Sequence, residues 1–167
     1  MKKRVIVAAT GASGMPILIK CLELIRQAPD YESYLMLSPS AVLTLRQETG
    51  RTKDDMARLA SHVLDPENIG AGPASGSFKT QGWLIVPFSM KTAAGICSGY
   101  TDNLILRAAD VTIKEQRPLI LAARETPVSP IHLRNLYELS RLPGVHIIPP
   151  MMVFYSRPET IDDMVYH

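Results

Sequence analysis

Residues that can bind an anion and move a proton follow several apolar runs of the sequence. They form four groups, which are residues 10–14, 38–40, 89–92 and 124–125. Hydroxyl, arginine and lysine side chains donate hydrogen bonds to phosphate oxygens, and glycines let a ligand approach the backbone. Glu125 can carry a proton. The pattern predicts a site for a phosphate-sized ligand beside a proton-transfer group.

Three of the groups also have an ordinary structural interpretation, which the residues alone leave open. The first has the spacing G-x-x-G, which matches neither the dinucleotide fingerprint nor a Walker loop. It is either a strand-to-helix turn with a serine N-cap or a turn whose free helical N–H groups face an anion. Ser89 or Thr92 can cap the next helix with Lys91 in solvent, and Arg124 with Glu125 can form an exposed ion pair. We favour a ligand site because such groups recur at successive strand ends.

The apolar runs predict buried strands that alternate with helices. Five runs without period-two alternation occupy residues 5–9, 34–37, 83–87, 118–123 and 145–148. Helical patterns occupy residues 17–25, 41–48, 53–63, 93–98, 101–115 and 132–140. This order predicts an α/β fold of three layers, in which a mostly parallel sheet has helices on both faces. Ligands of such sheets lie outside the carboxyl ends of the strands, where the polar groups are expected.

Composition narrows the class of protein. The chain has 167 residues and a formal net charge of +2, so it fits one domain and lacks the basic field typical of nucleic-acid-binding proteins. No apolar run approaches the ~20 residues of a membrane span and no signal-like block is present, so we expect a cytoplasmic protein without membrane contact. Cys21 and Cys97 match no paired motif and are predicted to be reduced and structural. The four histidines lack metal-ligand spacing, so no metal is predicted.

A collinear series of short motifs covers nearly the whole chain. The motifs are Thr10-Gly11-Ala12-Ser13-Gly14, Ala74-Ser75-Gly76-Ser77-Phe78, Ser89-Met90-Lys91-Thr92, Arg107-Ala108-Ala109-Asp110-Val111, Lys114-Glu115-Gln116-Arg117-Pro118-Leu119, Arg124-Glu125-Thr126-Pro127 and Phe154-Tyr155. The series resembles the UbiX/Pad family of flavin prenyltransferases, in particular the subtype associated with hydroxyarylic acid decarboxylases. The resemblance implies a flavodoxin-like (Rossmann-like) fold, a single flavoprotein domain over residues 1–167, and FMN as the cofactor without a metal.

The resemblance also implies roles for individual residues. FMN would be held by Gly11, Ala12, Ser13, Ser38, Ser89, Met90, Lys91, Thr92 and Arg124. The phosphate of dimethylallyl phosphate would contact Ser13, Lys114, Arg124 and Tyr155, with Arg107 nearby. Glu125 would be the acid/base group, with Ser13 and Glu48 as further catalytic residues. By composition alone, Glu48 and the Arg107/Lys114 pair are also consistent with solvated helix positions. Family members form dodecamers with sites at subunit junctions, so some of these residues would serve a neighbouring chain.

The reaction that the resemblance implies joins a dimethylallyl group to reduced FMN, and the prenylated FMN would serve a partner aromatic acid decarboxylase. Cations would stabilise the departing phosphate, and Glu125 would move a proton. Trp83, Phe88 or Tyr100 could help to enclose the pocket, although core packing is the simpler role for the first two.

Two departures from the family pattern and two alternative functions accompany this hypothesis. Phe88 stands where many members carry cysteine, and the chain stops at His167, apparently within a truncated terminal helix and before a basic residue that binds the donor phosphate in the family. One alternative is an FMN-dependent cysteine decarboxylase of related fold. The other is a non-catalytic flavin-binding subunit of an aromatic acid decarboxylase.

Overall fold

A six-stranded sheet forms the middle layer of the protein. The structure is a computed structural model and describes residues 2–167. The strands are β1 (Lys3–Ala9), β2 (Tyr31–Leu37), β3 (His62–Val63), β4 (Gly82–Phe88), β5 (Leu119–Ala123) and β6 (Val145–Ile147). Their order is β3-β2-β1-β4-β5-β6, and all neighbours are parallel. Because the chain moves outward from β1 in both directions, the strand order reverses between β1 and β4.

Helices cover both faces of this sheet, which confirms the predicted three-layer α/β architecture. They are α1 (Met15–Gln27), α2 (Pro39–Thr49), α3 (Lys53–Leu59), α4 (Met90–Cys97), α5 (Leu104–Lys114), α6 (Pro130–Ser140) and α7 (Ile161–Tyr166). Leu18, Leu45 and Met56 belong to the core on the face covered by α1, α2 and α3. Leu104 and Leu139 belong to the core on the opposite face, beneath α4, α5 and α6. Within residues 2–167, every helix is too short or too polar to cross a bilayer.

The region after α3 differs from the sequence prediction. The helix expected over residues 53–63 ends at Leu59, and His62–Val63 forms the edge strand β3, paired in parallel with β2. The His62 ring stacks on Tyr34 of β2 with 4.4 Å between centroids. A helix of this length has little stability of its own, so cross-strand contacts decide the conformation of its last residues.

The start of α5 is also displaced from its predicted position. The sequence allows a cap at Thr101 or Asp102, but the cap is Asn103, whose Oδ1 accepts the N–H of Leu106 at 3.0 Å. The N–H of Leu104 donates to the carbonyl of Pro66 at 2.7 Å. The later start leaves the preceding residues as a loop, which forms part of the cavity described below.

Backbone hydrogen bonds join the loops that follow neighbouring strands at the carboxyl edge of the sheet. The N–H of Ser38, after β2, donates to the last carbonyl of β1 at 3.1 Å. The N–H of Thr10, after β1, donates to the carbonyl of Pro87 in β4 at 3.0 Å. The N–H of Arg124, after β5, donates to the carbonyl of Phe88 at 3.2 Å. The four polar groups that the sequence places after strands therefore lie side by side.

The start of α1 is capped by a carboxylate from α2. Gly14 occupies the N-cap position with φ of 127°, a conformation that favours glycine. The N–H groups of Gly14 and Met15 donate to Glu48 Oε2 at 3.0 and 2.9 Å. The carboxylate compensates the positive end of the α1 dipole and joins the two helices. The prediction of free N–H groups at this turn is wrong for these two amides, because Glu48 binds both.

The pKa of the Glu48 carboxyl lies below its usual range. Partial burial raises this pKa. Hydrogen bonds from the Ser13 hydroxyl and from the Met15 and Gly14 N–H groups, together with the Arg124 charge, lower the pKa by more than burial raises it. The ionised carboxylate is therefore the form that caps α1.

The substitution Glu48→Gln is expected to lower the free energy of unfolding by about 1 kcal/mol near neutral pH, because the cap loses its charge. Since the folded-state pKa is lowered, this contribution is present above the unfolded value of about 4.5 and is lost as pH falls through the folded pKa. Urea unfolding of both proteins across this range measures the difference. Glu23→Gln on α1 is the control, and a wild-type advantage that persists unchanged in acid would contradict the capping role.

Candidate functional site

A cavity of about 1200 Å³ opens at the carboxyl edge, where the loops after β1, β2, β4 and β5 meet. Of the site residues predicted from the sequence, those that line it are Gly11, Ser38, Ser89, Met90, Lys91, Thr92 and Glu125. Tyr100, in the loop before α5, lines it as well. The wall also holds charged side chains of both signs, namely Lys91 and Arg134 with Glu67, Asp102, Glu125 and Glu138. Hydroxyls, backbone amides and apolar surface from α4 and α6 complete it. This composition suits a ligand with both a phosphate and an aromatic ring system.

The turn from Ser89 to Thr92 presents backbone amides to this cavity. Ser89 Oγ accepts the N–H of Thr92 at 3.4 Å and lies 3.1 Å from Thr92 Oγ1, while the carbonyl of Ser89 accepts the N–H of Ala93 at 3.0 Å. The N–H groups of Met90 and Lys91, at the start of α4, have no protein partner within residues 2–167. Unpaired amides at the positive end of a helix attract an anion, so serine capping and anion binding coexist at this turn.

The loop after β1 packs closely against the start of α2. A Cβ on Gly11 would lie 2.5 Å from the Cβ of Ser40, so glycine is required for this approach. Ser38 Oγ accepts the N–H of Ala41 at 3.1 Å, which leaves the hydroxyl hydrogen to donate to a ligand. Ala12 lies within the same turn, and its N–H donates to the carbonyl of Thr10 at 2.7 Å, but its side chain is not part of the cavity wall.

A second group of predicted site residues lies beside the cavity, around the cap of α1. Ser13 and Arg124 are both close enough to Glu48 to lower its pKa. Arg124 and Glu125 are exposed, and Glu125 Oε1 accepts the N–H of Thr126 at 3.0 Å. The Arg124/Glu125 ion pair of the alternative interpretation is absent from the ion pairs of residues 2–167.

Three residues predicted to bind the donor phosphate do not reach this cavity within one protomer. Arg107 Nη1 is paired with Asp110 at 2.7 Å, and Lys114 Nζ with Glu115 at 2.7 Å. Tyr155 is 91% exposed. The expectation that these side chains join Ser13 and Arg124 around one phosphate is therefore not met inside a single chain.

The position of Lys114 has a topological cause. It ends α5, which runs back to the amino edge of the sheet before β5 begins. There Arg117 donates to the carbonyls of Gly76 and Phe78 at 2.6 and 2.9 Å, which fixes the loop beside the Lys114/Glu115 pair. The length of β5, about 17 Å, separates this edge from Arg124.

Sequence reasoning missed two features of the site. The hydroxyl of Thr10 joins the loops after β1 and β4, although the sequence shows only a hydroxyl residue directly after a buried strand. The cavity also continues between α4 and α6, where Arg134, Asn135 and Glu138 line it, and no local motif marks this extension. Trp83 and Phe88, at 1% and 0% exposure, belong to the core as their simpler interpretation predicts.

Comparison with known proteins identifies the family. Residues 1–165 match the family model described as Flavoprotein. A probable UbiX-like flavin prenyltransferase from Streptomyces sp. (strain D7) is 49% identical over 164 residues, which are 98% of this chain and 82% of the relative. The structure of AnUbiX (PadA1) in complex with FMN and dimethylallyl pyrophosphate has a TM-score of 0.96 and 42% identity, covering 99% of this chain and 87% of that one. A dodecameric FMN-dependent UbiX-like decarboxylase from Escherichia coli O157:H7 has a TM-score of 0.95 and 46% identity over 98% and 88% of the two chains. The chain belongs to the flavoprotein family and, within it, to the UbiX-like flavin prenyltransferases.

Proposed function

We propose that this protein transfers a dimethylallyl group from dimethylallyl phosphate to reduced FMN and so supplies prenylated FMN to an aromatic acid decarboxylase. The observation that carries the proposal is the cavity at the carboxyl edge, which Met90 and Lys91 at the start of α4 line together with Glu125. The exposed Arg124 precedes Glu125 directly and is joined by its backbone to Phe88, next to the α4 turn. The complex of AnUbiX with FMN and dimethylallyl pyrophosphate supports it.

The residues of the cavity fit FMN. The close approach that Gly11 allows forms one wall, and the hydroxyls of Ser38, Ser89 and Thr92 supply donors of the kind that a ribityl chain and a phosphate require. The amides of α4 suit the phosphate, and the apolar surface of α4 and α6 suits the flat ring system. A volume of about 1200 Å³ leaves room for an allylic donor as well.

Protein groups would act on the leaving phosphate and on the proton. When bound, reduced FMN supplies the nitrogen that bonds to the allylic carbon as the carbon–oxygen bond of the donor breaks. Arg124 would stabilise the negative charge that collects on the departing phosphate, because its planar guanidinium donates two parallel hydrogen bonds. Glu125, next to it, would deliver a proton to the phosphate or accept one from the ring system. The Ser13 hydroxyl, which donates to Glu48 in the free protein, would turn to the phosphate beside Arg124 when the donor binds.

A neighbouring protomer would complete the donor site. Glu48 already offsets part of the Arg124 charge, so a phosphate held at this point needs further cations. Lys114 and Arg107 are exposed or half-exposed at other parts of the surface and can supply that charge to another copy. The exposed segment that includes Phe154 and Tyr155 is apolar and typical of an interface. We therefore propose a homo-oligomer, and a dodecamer on the precedent of the Escherichia coli relative.

The decisive experiment for the function incubates the protein with reduced FMN and dimethylallyl phosphate or, separately, dimethylallyl pyrophosphate. Mass spectrometry of the extracted flavin is expected to show the addition of one prenyl unit. Unchanged flavin in protein that binds FMN would favour the flavin-carrying subunit. Loss of carbon dioxide from a cysteine-terminated peptide, without any allylic donor, would favour the cysteine decarboxylase.

The protein is also proposed to work in the cytoplasm, and its two cysteines are both free.

The substitution Glu125→Gln is expected to retain FMN binding and to slow transfer about 100-fold, because the amide cannot exchange the proton. Single-turnover rates at saturating FMN and donor measure the effect. Glu138→Gln is the matched control, since Glu138 lines the same cavity on the α6 side. Equal rates for wild type and Glu125→Gln would remove Glu125 from the proton transfer.

The substitution Arg124→Ala is expected to weaken binding of FMN or donor at least about tenfold, because a charge-assisted hydrogen bond to an anion is lost. Fluorescence titration of FMN and the dependence of rate on donor concentration separate the two ligands. Arg46→Ala, at an exposed position of α2, is the control for loss of charge alone. Wild-type affinity for both ligands would exclude Arg124 from the site.

Mixed oligomers test whether Lys114 acts on another copy. Lys114→Ala and Glu125→Gln are each expected to be slow alone, whereas co-expression restores activity at about a quarter of the sites, where two intact residues meet. Co-expression of Arg124→Ala with Glu125→Gln is the control, because both residues come from the same protomer and no intact site can form. Failure of the first mixture to exceed its parents would contradict a shared site.

A further inference from the structure

The Thr10 hydroxyl joins the two strands between which the strand order reverses. Thr10 is 3% exposed, and its Oγ1 donates to the carbonyl of Pro87 at 3.1 Å while accepting the N–H of Ser89 at 2.8 Å. The N–H of Thr10 donates to the same carbonyl at 3.0 Å. One side chain after β1 therefore holds the backbone of β4 on both sides of Phe88.

These hydrogen bonds replace a ladder that β1 and β4 cannot continue. The regular pairing of the two strands ends with Ala8 opposite Ile85. Pro87 has no N–H to donate, so the ordinary parallel pattern stops before the strands reach the carboxyl edge. Without Thr10 Oγ1, the N–H of Ser89 would lose its acceptor in a part-buried position.

The group that Thr10 holds is the turn that shapes the ligand cavity. Ser89 caps α4 and contacts Thr92, and all three hydroxyl residues line the cavity. A shift of Ser89 would carry with it the amides of Met90 and Lys91, because they follow it directly at the start of α4. The position of Thr10 thus sets the distance between the β1 loop and the amides of α4.

We propose that Thr10 is a positioning residue for flavin binding, which acts by fixing the Ser89–Thr92 turn against the loop after β1. The inference rests on the proposed function, since FMN is the ligand. If the hydroxyl were merely structural, its removal would lower the free energy of unfolding and leave the affinity of the folded protein for FMN unchanged.

Three variants at this position separate the hydroxyl from the shape of the side chain. Thr10→Val keeps the side-chain volume and removes both side-chain hydrogen bonds. Thr10→Ala removes the hydrogen bonds and the methyl group as well. Thr10→Ser keeps the hydroxyl. Ser33→Ala is the matched control, because Ser33 is 1% exposed and its Oγ also holds a backbone N–H, that of Ser61 at 3.0 Å, outside the cavity wall.

The experiment makes three measurements on each protein. Fluorescence titration gives the FMN dissociation constant, and thermal unfolding gives the stability. Amide hydrogen exchange of the flavin-free protein is followed in a peptide that contains Ser89. Thr10→Val and Thr10→Ala are expected to raise the dissociation constant about tenfold and to speed exchange at Ser89, whereas Thr10→Ser stays within about twofold of wild type. Ser33→Ala is expected to lose stability and keep its affinity. If one hydroxyl-free variant fails to fold, the other and the exchange measurement still decide.

Wild-type affinity in either folded hydroxyl-free variant would overturn the inference, as would an equal loss of affinity in Ser33→Ala or in Thr10→Ser. Failure of the proposed function gives a different result. If wild type binds FMN but adds no prenyl unit, the transferase proposal fails while the titrations still judge Thr10. If wild type binds no FMN, both proposals fail together.

Discussion

Parallel pairing of β1 with β2 and β4 is the constraint on which the rest of the structure depends. Because these strands run in one direction and are hydrogen-bonded along their length, their last residues reach the same edge of the sheet. The strand order reverses between β1 and β4, so the helices that follow them leave on opposite faces and the loops separate above the sheet. The cavity is the space that this separation leaves. Hydrogen bonds between the loops, such as that from Ser38 to the end of β1, hold its walls at fixed spacing.

Electrostatics divide this edge into two regions. At the start of α1 the carboxylate of Glu48 binds the first amides, so the positive end of that helix is already compensated. At the start of α4 the amides of Met90 and Lys91 have no such partner within residues 2–167. An anionic group is therefore attracted more strongly to α4 than to α1. Under the proposed function, this asymmetry would favour the orientation of FMN that places its phosphate at α4.

The sequence predicts the parts of the fold that depend on local pattern. Apolar runs without alternation give the five longer strands, and the fully buried Trp83 and Phe88 follow from the same pattern. The polar groups after the strands are predicted for the same reason, since parallel topology alone brings them to one edge. Edge strand β3 is not predicted, because two residues carry no periodicity and their pairing with β2 depends on the rings of Tyr34 and His62.

The arrangement inside the site depends on tertiary contacts that no motif shows. Glu48 reads as a solvated helix end by sequence, and only the packing of α2 beside α1 brings it to Gly14 and Met15. The hydrogen bonds of the Thr10 hydroxyl cannot be predicted from the sequence either, because they join it to Pro87 and Ser89, which lie 77 and 79 residues away. The UbiX/Pad resemblance implies a list of functional residues but not which of them share a protomer.

The placement of Lys114 and Arg124 at opposite edges of one sheet has a consequence for how activity could arise. The rigid strand β5 stands between them, so no hinge or loop movement within the chain can bring the two charges together. A centre that uses both must be assembled from two polypeptides, and the number of complete centres then equals the number of matching contacts between copies. Under the proposed function, a newly made chain would have little transferase activity as a monomer. The amount of active enzyme would then depend on the extent of assembly.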